Sequence, residues 1–269
     1  MLGIATLNPT YMPSHPALGR IPPMTTLKVA TYNIHKGFSH FNRRVVLHEL
    51  RDRLRELDAD IVFLQEVQGE NHGNVQRHLN YPTLPQHEFL ADQIWPHHAY
   101  GKNAVYDEGH HGNAILSRYP ILRWDNQDVS AHRFESRGLL HCEIELPETG
   151  QPLHCVCVHF GLFKRGRGDQ FNALVERIRR LVPADAPLVI AGDFNDWRNH
   201  ASRLLAHELQ LHEAFEVSHG RLARSYPVGM ALLRMDRIYV RGLEIRHSDV
   251  HEWRKISDHA ALSTTLALP

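Results

Sequence analysis

From Leu27 onward the chain alternates between apolar runs of strand length and amphipathic stretches with helical spacing. LKVATYNI reads as a strand that ends on Asn33. In FNRRVVLHELRDRLREL, Val46, Leu47, Leu50, Leu54 and Leu57 recur at the spacing that places them on one helical face, with Asn42 as N-cap. ADIVFLQEV is a compact β-branched run of the kind that forms a strand buried on both faces, and Glu66 stands at its far end. Two more strand–helix passages follow, PLHCVCVHF with GDQFNALVERIRRLV and PLVIAGDFN with NHASRLLAHEL. The first of these helices keeps Phe171, Leu174, Ile178 and Leu181 in register. GNAILSRYPI, RGLLHCEIEL, MDRIYV and HAALSTTLAL look like antiparallel strands. The mixture predicts an α/β protein with mixed sheets and helices outside.

Residues 1–25 break this pattern. Five prolines and no periodicity predict a loose extension ahead of a single domain spanning 26–269, which contains no repeat, low-complexity tract or dividing linker. The N-terminal stretch lacks the basic start and continuous apolar segment of a secretory signal, and no run approaches the ~18–20 apolar residues of a membrane span, so the expected location is the cytoplasm. Lys and Arg together number 30 and so do Asp and Glu, giving zero formal charge, without the basic surplus usual for nucleic-acid binders, although a local basic patch stays open. The three cysteines fit a reducing compartment, and Cys155 and Cys157, alternating along one strand, read as buried small hydrophobes.

Polar residues stand where the apolar strands stop. Asn33 follows KVATY, Glu66 follows IVFLQ, His159 follows VCV, and Asp193 and Asn195 flank the end of LVIAGDFN. Asp236 opens RIYV and Asp258-His259 opens AALSTTL. One such residue is ordinarily a cap or turn former; six strand ends bearing carboxylates and imidazoles point to a crevice at one edge of the sheets. Glu66 and Asp258 with the amide oxygen of Asn33 would make a hard oxygen site suited to Mg²⁺ or Mn²⁺, one ion or two. Asp193 is placed to take a proton from an attacking water, and Asn195 to donate to a phosphoryl oxygen or to that water. His159 and His259 would donate to developing negative charge, with Asp236 fixing one imidazole tautomer. The set fits metal-assisted phosphoryl transfer to water.

These residues, in this order, resemble the endonuclease/exonuclease/phosphatase superfamily, which includes DNase-I-like nucleases. The resemblance runs through TYNIH, LQEV, GNAILSRYPI, VHF, GDFND, RMDRIYV and SDH, across the chain after Thr26. It implies a four-layer α/β sandwich, two mixed sheets face to face with helices outside and the active site at one edge. Carried over position by position, Glu66 is the principal metal carboxylate with Asn33 and Asp258 beside it. Asp193 orients or deprotonates the water, Asn195 and His159 contact the phosphate, and His259, paired to Asp236, stabilises the transition state. The histidine at 159 is similar to the branches with two catalytic histidines rather than to abasic-site endonucleases. The resemblance also implies an acidic partner for His159 near Asp107 and Glu108, with Glu108 as the candidate; an acidic surface turn is the alternative. Asn113 falls in a segment expected near the cleft.

The substrate is less determined. Lys164, Arg165 and Arg167, in the loop after His159, either grip a second phosphate or are solvated charges. Arg137 either steadies an active-site loop or reaches the substrate. Phe160, Leu162 and Phe163 suit a lipid-facing rim or ordinary packing. The expected activity is divalent-metal-dependent hydrolysis of a phosphodiester, of the nuclease or phosphodiesterase type. A lipid head group or small phosphate ester is the alternative, a non-catalytic binding module is a third reading, and no protein partner is expected. The pairs His97-His98 and His110-His111 make no ready metal clamp, because adjacent strand residues point apart.

Overall fold

The computed structural model describes residues 26–39, 44–132, 135–147 and 150–268; the extension 1–25 and the expected N-cap Asn42 lie outside them. One sheet is built from β1 (Thr26–Asn33), β2 (Ile61–Asn71), β3 (His97–Tyr106), β4 (Gly109–Ser117), β11 (Glu244–His251) and β12 (Ala261–Ala267), in the order β11-β12-β1-β2-β4-β3. The other holds β5 (Ile121–Asp128), β6 (Gly138–Ile144), β7 (Leu153–His159), β8 (Leu188–Asp193), β9 (His212–Glu213) and β10 (Asp236–Arg241), in the order β5-β6-β7-β8-β10-β9. Only β1 with β2 and β7 with β8 pair in parallel.

Strand alternation explains the layering. Val29, Ile61, Phe63, Cys155, Cys157, Val189 and Ala191 face the opposite sheet, and their neighbours Ala30, Val62, Leu64, Val156, Val158 and Ile190 face outward into helices. The first sheet's outer face packs beneath Leu47, Leu50, Leu54 and Leu57 of α1 (Leu47–Leu57) and Leu90 of α3 (Gln86–Ala91). The second packs beneath Phe171, Leu174 and Ile178 of α4 (Lys164–Leu181) and Leu205 and Leu209 of α5 (His200–Leu209). Each such side chain, fully buried, contributes about 1.5–3 kcal/mol of transfer free energy. The result is the expected four-layer sandwich, with all three cysteines free and buried between the sheets.

Two boundaries differ from the sequence reading. α1 begins at Leu47 behind Val46, which offers no side-chain cap, and α4 begins at Lys164 rather than near Gly168. The strands β3, β5 and β11, which the periodicity does not announce, all lie at sheet edges. β5 shows why: nearly every residue of ILRWDNQD keeps an exposed or half-buried side chain, so no apolar run marks it.

Two buried imidazoles make the fold acid-sensitive. His141 Nε2 lies 3.0 Å from His154 Nδ1, a bond that needs one ring to donate and the other to accept. Burial, then the charges of His154 and Arg177, hold His141 down at about 4; burial, with His98 and His110, does the same to His87. In the unfolded chain both titrate near ~6.5, so on acidification the unfolded state takes up protons first. Stability is therefore complete above about pH 6.5 and falls towards pH 4, by on the order of 1–3 kcal/mol per group. Thermal unfolding at a series of pH values should show this fall. His141→Gln should lessen the slope of stability against pH by about one proton; an unaltered slope would refute the assignment.

Candidate active site

Register brings the polar strand ends together. Asp193 at the end of β8 is the direct neighbour of His159 at the end of β7 and of Asp236 at the start of β10, so three candidate residues form one row across three strands. Gly192 permits the row: it sits at φ +149, and a Cβ there would lie 1.9 Å from the Val158 carbonyl oxygen. In the other sheet, β1 delivers Asn33, and β12 runs antiparallel to it, so Asp258 and His259, just ahead of β12, arrive beside the end of β1. Glu66 reaches the group through a bulge. The pairing of β2 with β4 shifts between Leu64 and Val67, and Glu66 takes a left-handed φ of 56°, which lifts its carboxylate out of the strand's alternation.

Hydrogen bonds join these groups into one network. Asn33 Nδ2 lies 3.4 Å from Glu66 Oε1 and 3.2 Å from Asp193 Oδ2, bridging the two carboxylates. Asn33 Oδ1 accepts the His35 backbone N–H at 3.1 Å, and His35 Nδ1 is 3.5 Å from Asp258 Oδ1. Ser257 Oγ donates to the Asn33 carbonyl at 2.8 Å, fixing the SDH segment against β1. Asp193 Oδ1 accepts the Asn195 N–H at 2.9 Å, while its Oδ2 faces His159 Nε2 at 3.7 Å and His259 Nε2 at 3.8 Å. His259 Nδ1 bonds Asp236 Oδ2 at 2.8 Å, and the backbone N–H of Asp236 is taken by Ser225 Oγ at 3.1 Å. Tyr226 lays its ring 4.9 Å from that of His259.

Burial and charge set the proton affinities. Burial and the nearby Asp236 push the Asp193 carboxyl up to about 6, against the opposing pull of His259 and its hydrogen bonds from Asn195 and Asn33. Burial alone would lower His259, but Asp236, through charge and hydrogen bond, with Asp193 and Asp258, carries it up to about 10. His159 is held well below its ordinary value, by burial first and then by Arg137, His259 and His111. At neutral pH the site therefore contains one imidazolium, His259, and one neutral imidazole, His159. No lysine or arginine forms an ion pair with Glu66, Asp193, Asp236 or Asp258 among the described residues. Four carboxylates against one imidazolium leave a negative surplus, and the oxygens of Glu66, Asn33 and Asp258 are the hard donors that a divalent cation takes. In the close trio of Asp193, Asp236 and His259, His259 already uses Nδ1 on Asp236, which leaves Nε2 facing Asp193 at 3.8 Å.

Other candidates fall into two groups. Asn195, at φ 50°, spends an amide hydrogen on the Phe160 carbonyl at 2.9 Å, so it anchors the turn that shapes Asp193 and has one hydrogen left for a ligand. Asn113 is buried and ties β4 to the second sheet through the carbonyls of Gly138 at 3.0 Å and Cys157 at 3.4 Å. Arg137 is half-buried and shares a cavity of about 300 Å³ with His111, Leu162 and Phe163.

Glu108 corrects the sequence reading: it stands at the tip between β3 and β4, 2.7 Å from Arg77, and does not reach His159, whose carboxylate neighbour is Asp193. The turn alternative describes it. Glu108→Gln should leave kcat unchanged and remove only a surface pair contributing about 0–1 kcal/mol, which steady-state kinetics beside thermal unfolding would verify.

Arg167 is a second correction. It is buried, donates to the carbonyls of Gly161 at 3.1 Å and Leu162 at 2.7 Å, and stacks on Trp197, so it holds the loop rather than a phosphate. Lys164 and Arg165 are exposed first-turn residues of α4, not loop residues. Phe160 packs between Phe171 and Phe194 in the core, whereas Leu162 and Phe163 are exposed. His35, Ser225, Tyr226 and Ser257 were not anticipated. His35 and Ser257 lie inside the quoted TYNIH and SDH motifs; Ser225 and Tyr226 sit in a loop with no pattern to mark them.

The model of the Endonuclease/Exonuclease/phosphatase family matches residues 30–259. The protein YbhP of Escherichia coli (strain K12) is 48% identical over 246 residues, covering 90% of this chain and 97% of that protein. Among solved structures, an endonuclease/exonuclease/phosphatase from Beutenbergia cavernae superposes with a TM-score of 0.76 at 19% identity, covering 90% of this chain and 72% of the other. A mannosyl-6-phosphatase from Bacteroides thetaiotaomicron superposes at 0.68 with 16% identity, covering 90% and 100%. The match across 230 residues and the near half identity over almost the whole length place this chain in the endonuclease/exonuclease/phosphatase family of phosphoester hydrolases.

Proposed function

We propose that this protein hydrolyses a phosphodiester, with Mg²⁺ or Mn²⁺ held by Glu66, Asn33 and Asp258. The supporting observation is the convergence of these groups: Asn33 hydrogen-bonds to both Glu66 and Asp193, Ser257 ties the Asp258 segment to Asn33, His159 and His259 bring Nε2 to 3.7 and 3.8 Å from Asp193, and His259 is hydrogen-bonded to Asp236. A divalent cation, when bound, neutralises phosphate charge and favours attack at phosphorus. Asp193 orients the attacking water and accepts its proton; a carboxyl near 6 is ionised at neutral pH yet more basic than an ordinary aspartate. Asn33 holds Asp193 Oδ2 in place, and Asn195 fixes Oδ1. His259, kept protonated by Asp236, donates to the oxygens on which negative charge accumulates. His159, neutral, and the remaining amide hydrogen of Asn195 meet the phosphate from the second sheet.

A diester is favoured over a monoester by charge and space. The fixed cations that act on His159 and His111 are Arg137 and Lys36, few for a dianionic monoester. The cavity beside Arg137, bordered by Leu162 and Phe163, offers room for the second alcohol of a diester. The test is a panel of DNA, RNA, phospholipids, inositol phosphates, sugar phosphates and paired nitrophenyl mono- and diesters, with the Asp193→Ala variant as blank. Diester turnover should vanish on chelation and return with Mg²⁺ or Mn²⁺. Turnover that survives chelation would overturn the cation requirement, preference for sugar monoesters would overturn the diester reading, and no turnover on any member would favour a binding module.

A further inference from the structure

On the far side of the first sheet from the cleft's polar row, the histidine pairs find a different arrangement from the one their sequence order suggests. His98, on β3, is met not by its neighbour His97 but by His87 from α3, at 5.3 Å between ring centroids. Glu88 follows His87 and places Oε1 3.9 Å from His87 Nε2. One donor atom from each of His87, Glu88 and His98 lies within 4.8 Å of the others.

His87 is the telling member. It is 8% exposed, its Nδ1 is buried without a partner, and neither ring nitrogen makes a hydrogen bond among the described residues. Leaving a buried imidazole unsatisfied costs about 1–3 kcal/mol. Its orientation is nonetheless fixed. The ring stacks on Tyr100 at 4.6 Å and 5°, and the Tyr100 hydroxyl is in turn held 2.9 Å from His110 Nδ1. His98 and Glu88 are exposed, so the trio opens from a buried imidazole to solvent.

We propose that His87, Glu88 and His98 form a second metal site, for a borderline transition-metal ion such as Zn²⁺, independent of the oxygen site in the cleft. Two imidazoles with one carboxylate make a zinc-type donor set, unlike the hard oxygens preferred by Mg²⁺. Zinc bonds of about 2.0–2.1 Å bring donors closer together than they stand here, and the two exposed side chains, Glu88 and His98, can close that gap by rotation. A bound ion would clip α3 to β3 through His87 Nε2, the nitrogen that faces Glu88.

The test titrates Co²⁺ and Zn²⁺ into protein held in excess Mg²⁺, reading the visible cobalt band, competition with a chromophoric chelator, and the unfolding temperature. Because His98 and Glu88 are exposed, His98→Ala and Glu88→Gln should fold like wild type, with matching metal-free unfolding temperatures. With 22 histidines in the chain, weak surface binding is common to all variants, and the difference between them is the readout. Wild type should bind one Zn²⁺ at least about tenfold more tightly than His98→Ala and gain thermal stability that the variant does not. Equal affinity and equal stabilisation in wild type and both variants would overturn the site, whatever the outcome of the hydrolysis panel.

Discussion

Replacing Asp193 by Ala should lower kcat by roughly 10²–10⁴-fold, the range for loss of a positioned general base, with little change in the unfolding temperature measured without ligand. Two features give Asp193 this weight. It contacts both halves of the site, Asn33 and His259 from the first sheet and His159 beside it on the second. It is also the group whose proton affinity the fold raises, to about 6. Removing the side chain takes away a buried carboxylate whose ionisation the fold disfavours, so stability should hold or rise slightly while turnover collapses. Asp193→Asn separates the two possible roles. The amide keeps one acceptor oxygen, able to take the Asn195 N–H, but takes no proton, so a general base predicts a loss close to that of Ala, whereas a residue that only orients water predicts partial retention. Near wild-type kcat in both variants would remove Asp193 from the mechanism.

The same residues show why the site was readable in the sequence and some of its surroundings were not. Strands buried on both faces appear as unbroken apolar runs, so a polar residue that stops such a run is conspicuous: Asn33 after KVATY, Glu66 after IVFLQ, Asp193 after LVIAG. The edge strands β3, β5 and β11 carry no such contrast, having one face or both in solvent. Arg167 was misjudged from local charge. In KRGRGDQ it looks like part of a basic loop, yet it lies four residues before Phe171 and seven before Leu174, on the stripe that α4 buries. Extending the helical spacing backwards past Gly168 would have found it. Glu108 was drawn towards His159 by family likeness, but the two-residue tip between β3 and β4 points it at Arg77 instead. The left-handed Glu66 belongs to a third kind: a bulge needs two strands to define it, and only one of them is present in any local stretch of sequence.

Asp236→Asn should lower kcat by about 10²–10³-fold and, more tellingly, move the alkaline limb of the pH–rate profile downward. In the intact site His259 gains its proton affinity chiefly from Asp236, so it stays an imidazolium up to about pH 10 without a cation, and activity should persist well into alkaline solution. The acid limb should follow Asp193, near 6 by the same measure. A divalent cation beside these groups disfavours their protonated forms, so in the loaded enzyme both limbs should lie lower, with the order kept. An asparagine at 236 preserves shape and one hydrogen bond but removes the negative charge. Burial, which acts to lower the imidazole, then goes unopposed by its strongest counterweight, and His259 should lose its proton near or below the ordinary histidine range. The variant should therefore be most impaired above neutrality and recover part of its activity as pH falls. A merely structural role for Asp236 predicts a uniform loss at every pH with both limbs in place, and that pattern would rule out the charge relay from Asp236 to His259.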